Sequence, residues 1–163
     1  MLYLAYGSNM AQPRIEARLG PCRACGWARL DRYVLRYHKP GRDGSGKCDA
    51  HFTGAPADRM YGALFELSVA QAKALDGYEG PGYTREDVQV QTEDGPTTAY
   101  AYVALPDSVM PRLRPYPWYH AFVVEGAKSA GLPATYLAYL ATIETTADPD
   151  KARQRENDDI LKG

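Results

Sequence analysis

Four places in this chain hold residues whose types and spacing suit chemistry. The first is Gly7-Ser8-Asn9, which follows the apolar run Leu2 to Tyr6. Gly lets backbone approach a ligand closely, while Ser and Asn favour turns and helix starts. A turn of this kind directs several backbone N–H groups one way, which suits a carboxylate or phosphate. It is equally an ordinary strand-to-helix connection. The second is Glu79, set in Gly77-Tyr78-Glu79-Gly80-Pro81-Gly82-Tyr83. A carboxyl walled by aromatics such as Tyr78 and Tyr83 would have its pKa raised by burial. On residue type alone it is an exposed loop carboxylate. The third is Tyr119, in the run Tyr116-Pro117-Trp118-Tyr119, which on residue type alone is an aromatic packed beside Trp118. The fourth is Cys22-x-x-Cys25, with Cys48 standing apart. An odd cysteine count argues against a disulfide framework, and His38, His51 and His120 lie at no convincing spacing for zinc. No metal is therefore expected, and the thiols read as reduced and incidental.

The totals narrow the classes further. The 163 residues are enough for one domain with a proper core, and the formal charge of −1 suggests no polyanionic partner. No nucleic-acid or membrane partner is expected, since no apolar run approaches the roughly 20 residues of a span. The chain opens on a core-like strand rather than a basic, apolar leader, so the expected compartment is the cytoplasm. Tyrosine is abundant, thirteen against three Phe, enough both to fill sheet positions and to line a polar pocket.

The positioning elements follow from periodicity. Leu2 to Tyr6 is a core strand, and Pro13 opens a helix through Ile15, Glu16 and Leu19. Trp27 to Tyr37 alternates as a half-buried strand, and His38 to Asp49 is a Gly-rich, charged loop. Ala50 to Pro56 is a weak strand and Met60 to Leu67 a central one. Ser68 to Gln71 has capping-box spacing for a short helix that stops before Gly77, leaving Glu79 in a loop. Strands around Val88-Val90 and Thr98 to Leu105 form a hairpin with a four-residue turn, Glu93 to Pro96. Two amphipathic helices end near Gly131 and Ile143. A polar tail from about 145 holds some helix, with Ile160 and Leu161 able to dock. Pattern alone gives an α+β chain of about six strands, read as a single domain over 1–163.

Tyr3-Leu4-Ala5-Tyr6-Gly7-Ser8-Asn9 closely resembles the opening of the gamma-glutamylcyclotransferase family, whose fold is AIG2-like. Three further stretches match in the same order. They are Ala28-Arg29-Leu30 with Tyr33 and Leu35, then Leu75 to Gly80, and last Tyr116 to Tyr119 with Gly126 to Pro133. The resemblance implies a small mixed β-barrel with surrounding helices, which periodicity does not show.

It also implies a reaction. The α-amine of a γ-glutamyl compound attacks its own γ-carbonyl, forming 5-oxoproline and releasing an amine or amino acid, with no cofactor. By the resemblance Glu79 is the catalytic acid–base residue. Tyr3, Leu4, Ala5, Tyr6, Gly7 and Ser8 supply substrate contacts, Asn9 closes the loop, and Tyr119 contacts substrate through its hydroxyl. Relatives acting on γ-glutamylamines tend to carry a Tyr-Gly-Thr-Leu type of loop, so Tyr6-Gly7-Ser8-Asn9 favours a γ-glutamyl amino acid. A glutathione-specific branch ranks lower. A γ-glutamylamine enzyme and a small-ligand binding protein on the same fold stay open as alternatives, and the assembly is a monomer or a homodimer. Gly77-Tyr78 ahead of Glu79, and Cys48 to His51, depart from the family's pattern and bear on substrate preference.

Overall fold

A computed structural model describes residues 1–162. Seven strands and five α-helices occur in the order β1 Leu2–Ala5, α1 Gln12–Leu19, β2 Arg23–Asp31, β3 Tyr33–Pro40, β4 Gly46–Phe52, β5 Arg59–Glu66, α2 Val69–Glu79, β6 Tyr83–Thr92, β7 Gly95–Ala104, α3 Pro117–Ser129, α4 Ala134–Ala141 and α5 Lys151–Lys162. The α+β barrel expectation holds, but the barrel takes five strands rather than about six, and two more form a separate sheet.

Five strands close the barrel in the order β1-β5-β2-β6-β7. β1 runs antiparallel to β5, pairing Leu4 with Leu64, and parallel to β7, where Tyr3 faces Tyr100. Closure leaves no free sheet edge along β1, and so holds the end of that strand, where the turn begins, in a fixed place. Leu4, Met60, Phe65, Val90, Phe122 and Leu140 are essentially fully buried and form the body of the core.

Several boundaries differ from the periodic reading. Trp27 to Tyr37 is two strands, broken at Arg32, whose φ of 69° is left-handed backbone. The Arg32 N–H bonds to Asp58 O at 2.9 Å and its guanidinium to Gly54 O at 3.1 Å, which holds the corner. His38 to Asp49 is not a loop. Its ends belong to β3 and β4, which pair as a separate two-stranded sheet, and only residues 41–45 turn. The β6–β7 hairpin is tighter than expected, since Thr92 pairs with Gly95 and only Glu93-Asp94 connect them.

α2 starts on the expected capping box. Gln71 N–H donates to Ser68 Oγ at 3.1 Å and Ser68 N–H to Gln71 Oε1 at 2.9 Å. Its end is the main correction: the helix continues through Gly77 and Tyr78 to Glu79, and Gly80 at φ 76° terminates it. Glu79 is therefore the last helical residue rather than a loop residue. α3 lies directly on the turn after β1. A Cβ on Gly126 would collide with the backbone of Met10 and Ala11, so glycine is what allows that approach. The C-terminal segment, expected as a polar surface tail with some helix, forms α5 and docks on the domain. Ile160 and Leu161 pack against the core, and the Arg14 guanidinium donates to Asn157 Oδ1 at 2.9 Å.

Candidate active site

The turn after β1 opens one wall of a small cleft, whose lining includes Tyr3, Tyr6, Gly7, Ser8, Asn9, Cys48, Glu79, Tyr83, Tyr102 and Tyr119. Ser8–Met10 forms one 3-10 turn, with Met10 N–H bonded to Gly7 O at 3.0 Å. Those bonds use the later N–H groups and leave the earlier ones at the turn's positive end available to a ligand. Gly7 has φ −109°, so handedness does not demand glycine here. Room does: an added Cβ would lie 3.1 Å from Cys48 Cβ and 3.3 Å from the Tyr119 hydroxyl.

Glu79 faces this turn from the end of α2. Asn9 Nδ2 donates to Glu79 Oε1 at 2.9 Å and also reaches the Tyr3 hydroxyl at 3.2 Å. The other end of the Asn9 amide accepts from Arg18 Nη1 at 2.8 Å, and Arg18 itself stands 3.6 Å from Glu79. Burial raises the Glu79 pKa above the ordinary carboxyl range, against the lowering pull of Arg18, the Asn9 hydrogen bond, Arg14 and Lys39. The negative end of the α2 dipole acts in the same direction as burial. The result is a carboxyl held in one orientation and able to keep a proton longer than a free glutamate.

The opposite wall is built around the Cys48 peptide of β4. Its N–H donates to the Tyr119 hydroxyl at 3.1 Å, and its carbonyl accepts from the Tyr83 hydroxyl at 2.6 Å. Tyr119 accepts this backbone N–H and still has one O–H to donate, with the Cys48 thiol as one partner within reach. The Cys48 thiol is buried and pushed up to about 12, so it is not a thiolate nucleophile. Behind these groups Tyr3 stacks on Tyr100 at 5.2 Å, the Tyr6 hydroxyl donates to Tyr102 O, and the Tyr102 hydroxyl donates to Asp76 Oδ1 at 2.6 Å.

Cations surround the outer mouth. The Arg14 guanidinium lies 4.5 Å over the Phe122 ring and bonds to the neutral Ser8 Oγ at 3.2 Å. Burial first, then neighbouring Arg18, lowers its pKa to about 10. Lys39 sits 5.2 Å over the Tyr83 ring and bonds to Pro40 O at 2.9 Å. Lys47 pairs with Asp43 at 2.7 Å and lies 4.5 Å over the Tyr119 ring.

Of the expected site residues, Tyr3, Tyr6, Gly7, Ser8, Asn9, Glu79 and Tyr119 come together around the cleft. Leu4 and Ala5 do not line it. Both are fully buried in β1, paired with Leu64 and Ala63, and their side chains have no access to a ligand. Asn9 holds Glu79 rather than merely closing the loop. Tyr83 walls the site but Tyr78 does not, being 54% exposed under the Arg18 guanidinium. Cys25 lies in β2 rather than in a linker, and Cys22, Cys25 and Cys48 are all free thiols. His120 bonds to the Tyr37 hydroxyl at 2.8 Å and to Leu140 O at 3.0 Å. His38 and His51, unrelated in spacing, meet beside Asp49 on the β3–β4 sheet.

Sequence reading missed Cys48, Arg14, Arg18, Lys39 and Lys47. Arg14 and Arg18 did carry a signal: two arginines four apart, on one helix face just after the glycine turn. Cys48 carried none, because its role rests on its backbone.

The model of the AIG2-like family matches residues 59–140. A gamma-glutamylcyclotransferase of Bos taurus is 30% identical over 173 aligned residues, covering 99% of this chain and 88% of that protein. A solved structure described as a gamma-glutamyl cyclotransferase superposes with TM-score 0.87 at 27% identity, covering 100% of this chain and 99% of the other. A yeast gamma-glutamyl cyclotransferase described as specific to glutathione shares the fold alone, with TM-score 0.55 at 11% identity over 99% of this chain and 94% of that one.

Proposed function

The chain belongs to the gamma-glutamylcyclotransferase family of enzymes, with the AIG2-like fold, and from that premise we propose how its cleft works and on what. The substrate is a γ-glutamyl amino acid, and the reaction is its cyclisation to 5-oxoproline with release of the amino acid. The observation that carries this reading is the placing of Glu79, a carboxyl of raised pKa held by Asn9 opposite the N–H groups of the Gly7-Ser8 turn.

In the proposed sequence the glutamyl α-ammonium gives a proton to the Glu79 carboxylate. The freed amine attacks the γ-carbonyl carbon and a new C–N bond closes the five-membered ring. The original amide C–N bond breaks as Glu79 returns the proton to the leaving nitrogen. The attacking nitrogen gives up two protons in all, one to Glu79 before attack and a second once the ring has closed, and the leaving nitrogen gains both and departs as its ammonium form, so the balance needs no water or cofactor. The raised pKa of Glu79 supports the second transfer, for which an ordinary glutamate of pKa about 4.3 is too acidic. The Gly7 and Ser8 N–H groups and the Tyr119 hydroxyl converge on the cleft as donors for the substrate carboxylate and the oxyanion. Folding the substrate so that amine meets carbonyl is worth about 7–11 kcal/mol in favourable intramolecular cases, so shape can supply much of the rate.

The mouth supports an amino acid over a simple amine as leaving group. Arg14 and Lys39 have neutral hydrogen-bond partners and stand beside the exit from the cleft, where a leaving carboxylate would meet them. A comparison of 5-oxoproline release from γ-glutamyl amino acids, glutathione and a γ-glutamylamine tests this. Turnover of the first group in preference to the amine is expected; preference for the amine would contradict the substrate assignment. The setting proposed is the cytoplasm.

A further inference from the structure

We propose that His38, Asp49 and His51 form a site for a divalent first-row transition metal ion, zinc above the others. The three lie on the two-stranded β3–β4 sheet. Asp49 and His51 are two apart on β4 and so share a face. On β3, Val34 pairs with His51 and Arg36 with Asp49, so His38, two residues beyond Arg36, falls on that same face by alternation. One donor atom from each lies within 4.8 Å of the others. His38 Nε2 is 2.7 Å from Asp49 Oδ2, and the two imidazole rings stand edge to face with centroids 5.4 Å apart.

The chemistry of the donors fits zinc. Bonds of about 2.0–2.2 Å in tetrahedral geometry put donor atoms about 3.3 Å apart. The His38–Asp49 pair needs to open by about 0.6 Å on that geometry, and His51, exposed and free to turn, closes the third position. Two imidazoles and one carboxylate form a borderline set that suits zinc, cobalt or nickel rather than calcium or magnesium. Asp49 is only 3% exposed, and its second oxygen accepts the Ala104 N–H at 2.7 Å. That bond fixes the carboxylate as outer-shell partners fix metal ligands. The exposed side of His51 leaves a path for the ion and an open coordination position. An ion here would tie β3 to β4 next to Cys48, the residue whose peptide holds Tyr119 and Tyr83.

The test uses the untagged full chain, stripped with a chelator and titrated with Zn²⁺ by calorimetry and with Co²⁺ by visible absorption. One ion per chain is expected, with His51→Ala weakening it at least about tenfold and abolishing the Co²⁺ bands. Zn²⁺ should raise the thermal midpoint of the wild type and not of His51→Ala, whose exposed position keeps the fold intact. A Cys22→Ser/Cys25→Ser variant should bind like the wild type. Absence of binding, equal binding by His51→Ala, or loss of binding with the cysteine pair would overturn the assignment and leave His38–Asp49 as a simple hydrogen bond.

Discussion

Asn9 Nδ2 lies 2.9 Å from Glu79 Oε1, so the turn after the first strand and the last turn of α2 meet through one amide. The same Asn9 side chain is fixed from behind by Arg18 at 2.8 Å. Two elements seventy residues apart in the chain are thereby locked into one geometry, with the carboxyl aimed across the cleft. Orientation of the acid–base group is thus a property of Asn9 and Arg18 as much as of Glu79.

Removing either support should shift the pH dependence of turnover in a defined direction. Arg18 and the Asn9 hydrogen bond both lower the Glu79 pKa, Arg18 more strongly. Arg18→Met and Asn9→Ala should therefore each raise it. The ascending limb of kcat/KM, which reports ionisation of the base in the free enzyme, should move to higher pH in both, and further in Arg18→Met. Unshifted limbs would separate Glu79 from the rate.

Glu79 should also cost the fold stability at neutral pH. Its folded pKa lies above the unfolded value of about 4.3, so the folded state binds this proton more tightly. The stability it contributes is full below that unfolded value and is lost as pH rises through the folded value. Glu79→Gln removes the ionised form, and should unfold at a higher temperature than wild type near pH 7. The gap should close as pH falls towards 4. Equal midpoints across this range would mean that burial does not penalise the carboxylate.

The walls of the cleft predict two different kinds of damage. Tyr119→Phe leaves the Cys48 N–H without its partner and removes a donor from the cleft. It should cost about 1–3 kcal/mol in denaturant unfolding, with a milder loss of turnover than substitution of Glu79. Gly7→Ala meets no backbone strain at φ −109°, but its methyl presses on Cys48 and the Tyr119 hydroxyl. It should lose some stability to that crowding and raise KM. A Gly7→Ala enzyme with native kinetics would remove this turn from the site.

Away from the cleft, Asp148 anchors the C-terminal helix. It accepts from Trp118 Nε1 at 2.7 Å and from Arg153 Nε at 2.8 Å. The Arg153 hydrogen bond is the first cause of its strongly depressed pKa. Stability from this group is present above the unfolded value of about 3.9 and is lost as pH falls through the folded one. Asp148→Ala should lose about 1–3 kcal/mol at pH 7 from the orphaned indole N–H alone, and its deficit relative to wild type should shrink below pH 4. A pH-independent deficit would assign the loss to packing rather than to charge.

The site was legible in sequence where it depends on residue type, and obscure where it depends on backbone. Gly7, Ser8, Glu79 and Tyr119 stood out because each combines a reactive or permissive chemistry with a resemblance in register. Glu79 was misplaced in a loop because Gly77 and Gly80 read as breakers, yet only Gly80 takes positive φ and ends α2. The β3–β4 sheet was hidden because Gly41, Gly44 and Gly46 look like loop sequence, while pairing across the chain made strands of residues 38–40 and 46–49. Leu4 and Ala5 were swept into the site by the motif around them, although both are fully buried in the barrel wall, Leu4 on the face opposite Tyr3 and Ala5 covered by the packing around it. Barrel closure by Tyr3 and Tyr100 is a contact between distant residues, and no local pattern encodes it.

The central claim is that Glu79 carries the proton in cyclisation. The direct measurement is 5-oxoproline release from a γ-glutamyl amino acid by wild type and Glu79→Gln side by side, with circular dichroism on both. A fall of about 10²–10⁴-fold in the folded Glu79→Gln protein is the predicted result, the range associated with loss of a general acid–base group. Release at the wild-type rate by a folded Glu79→Gln protein would contradict it.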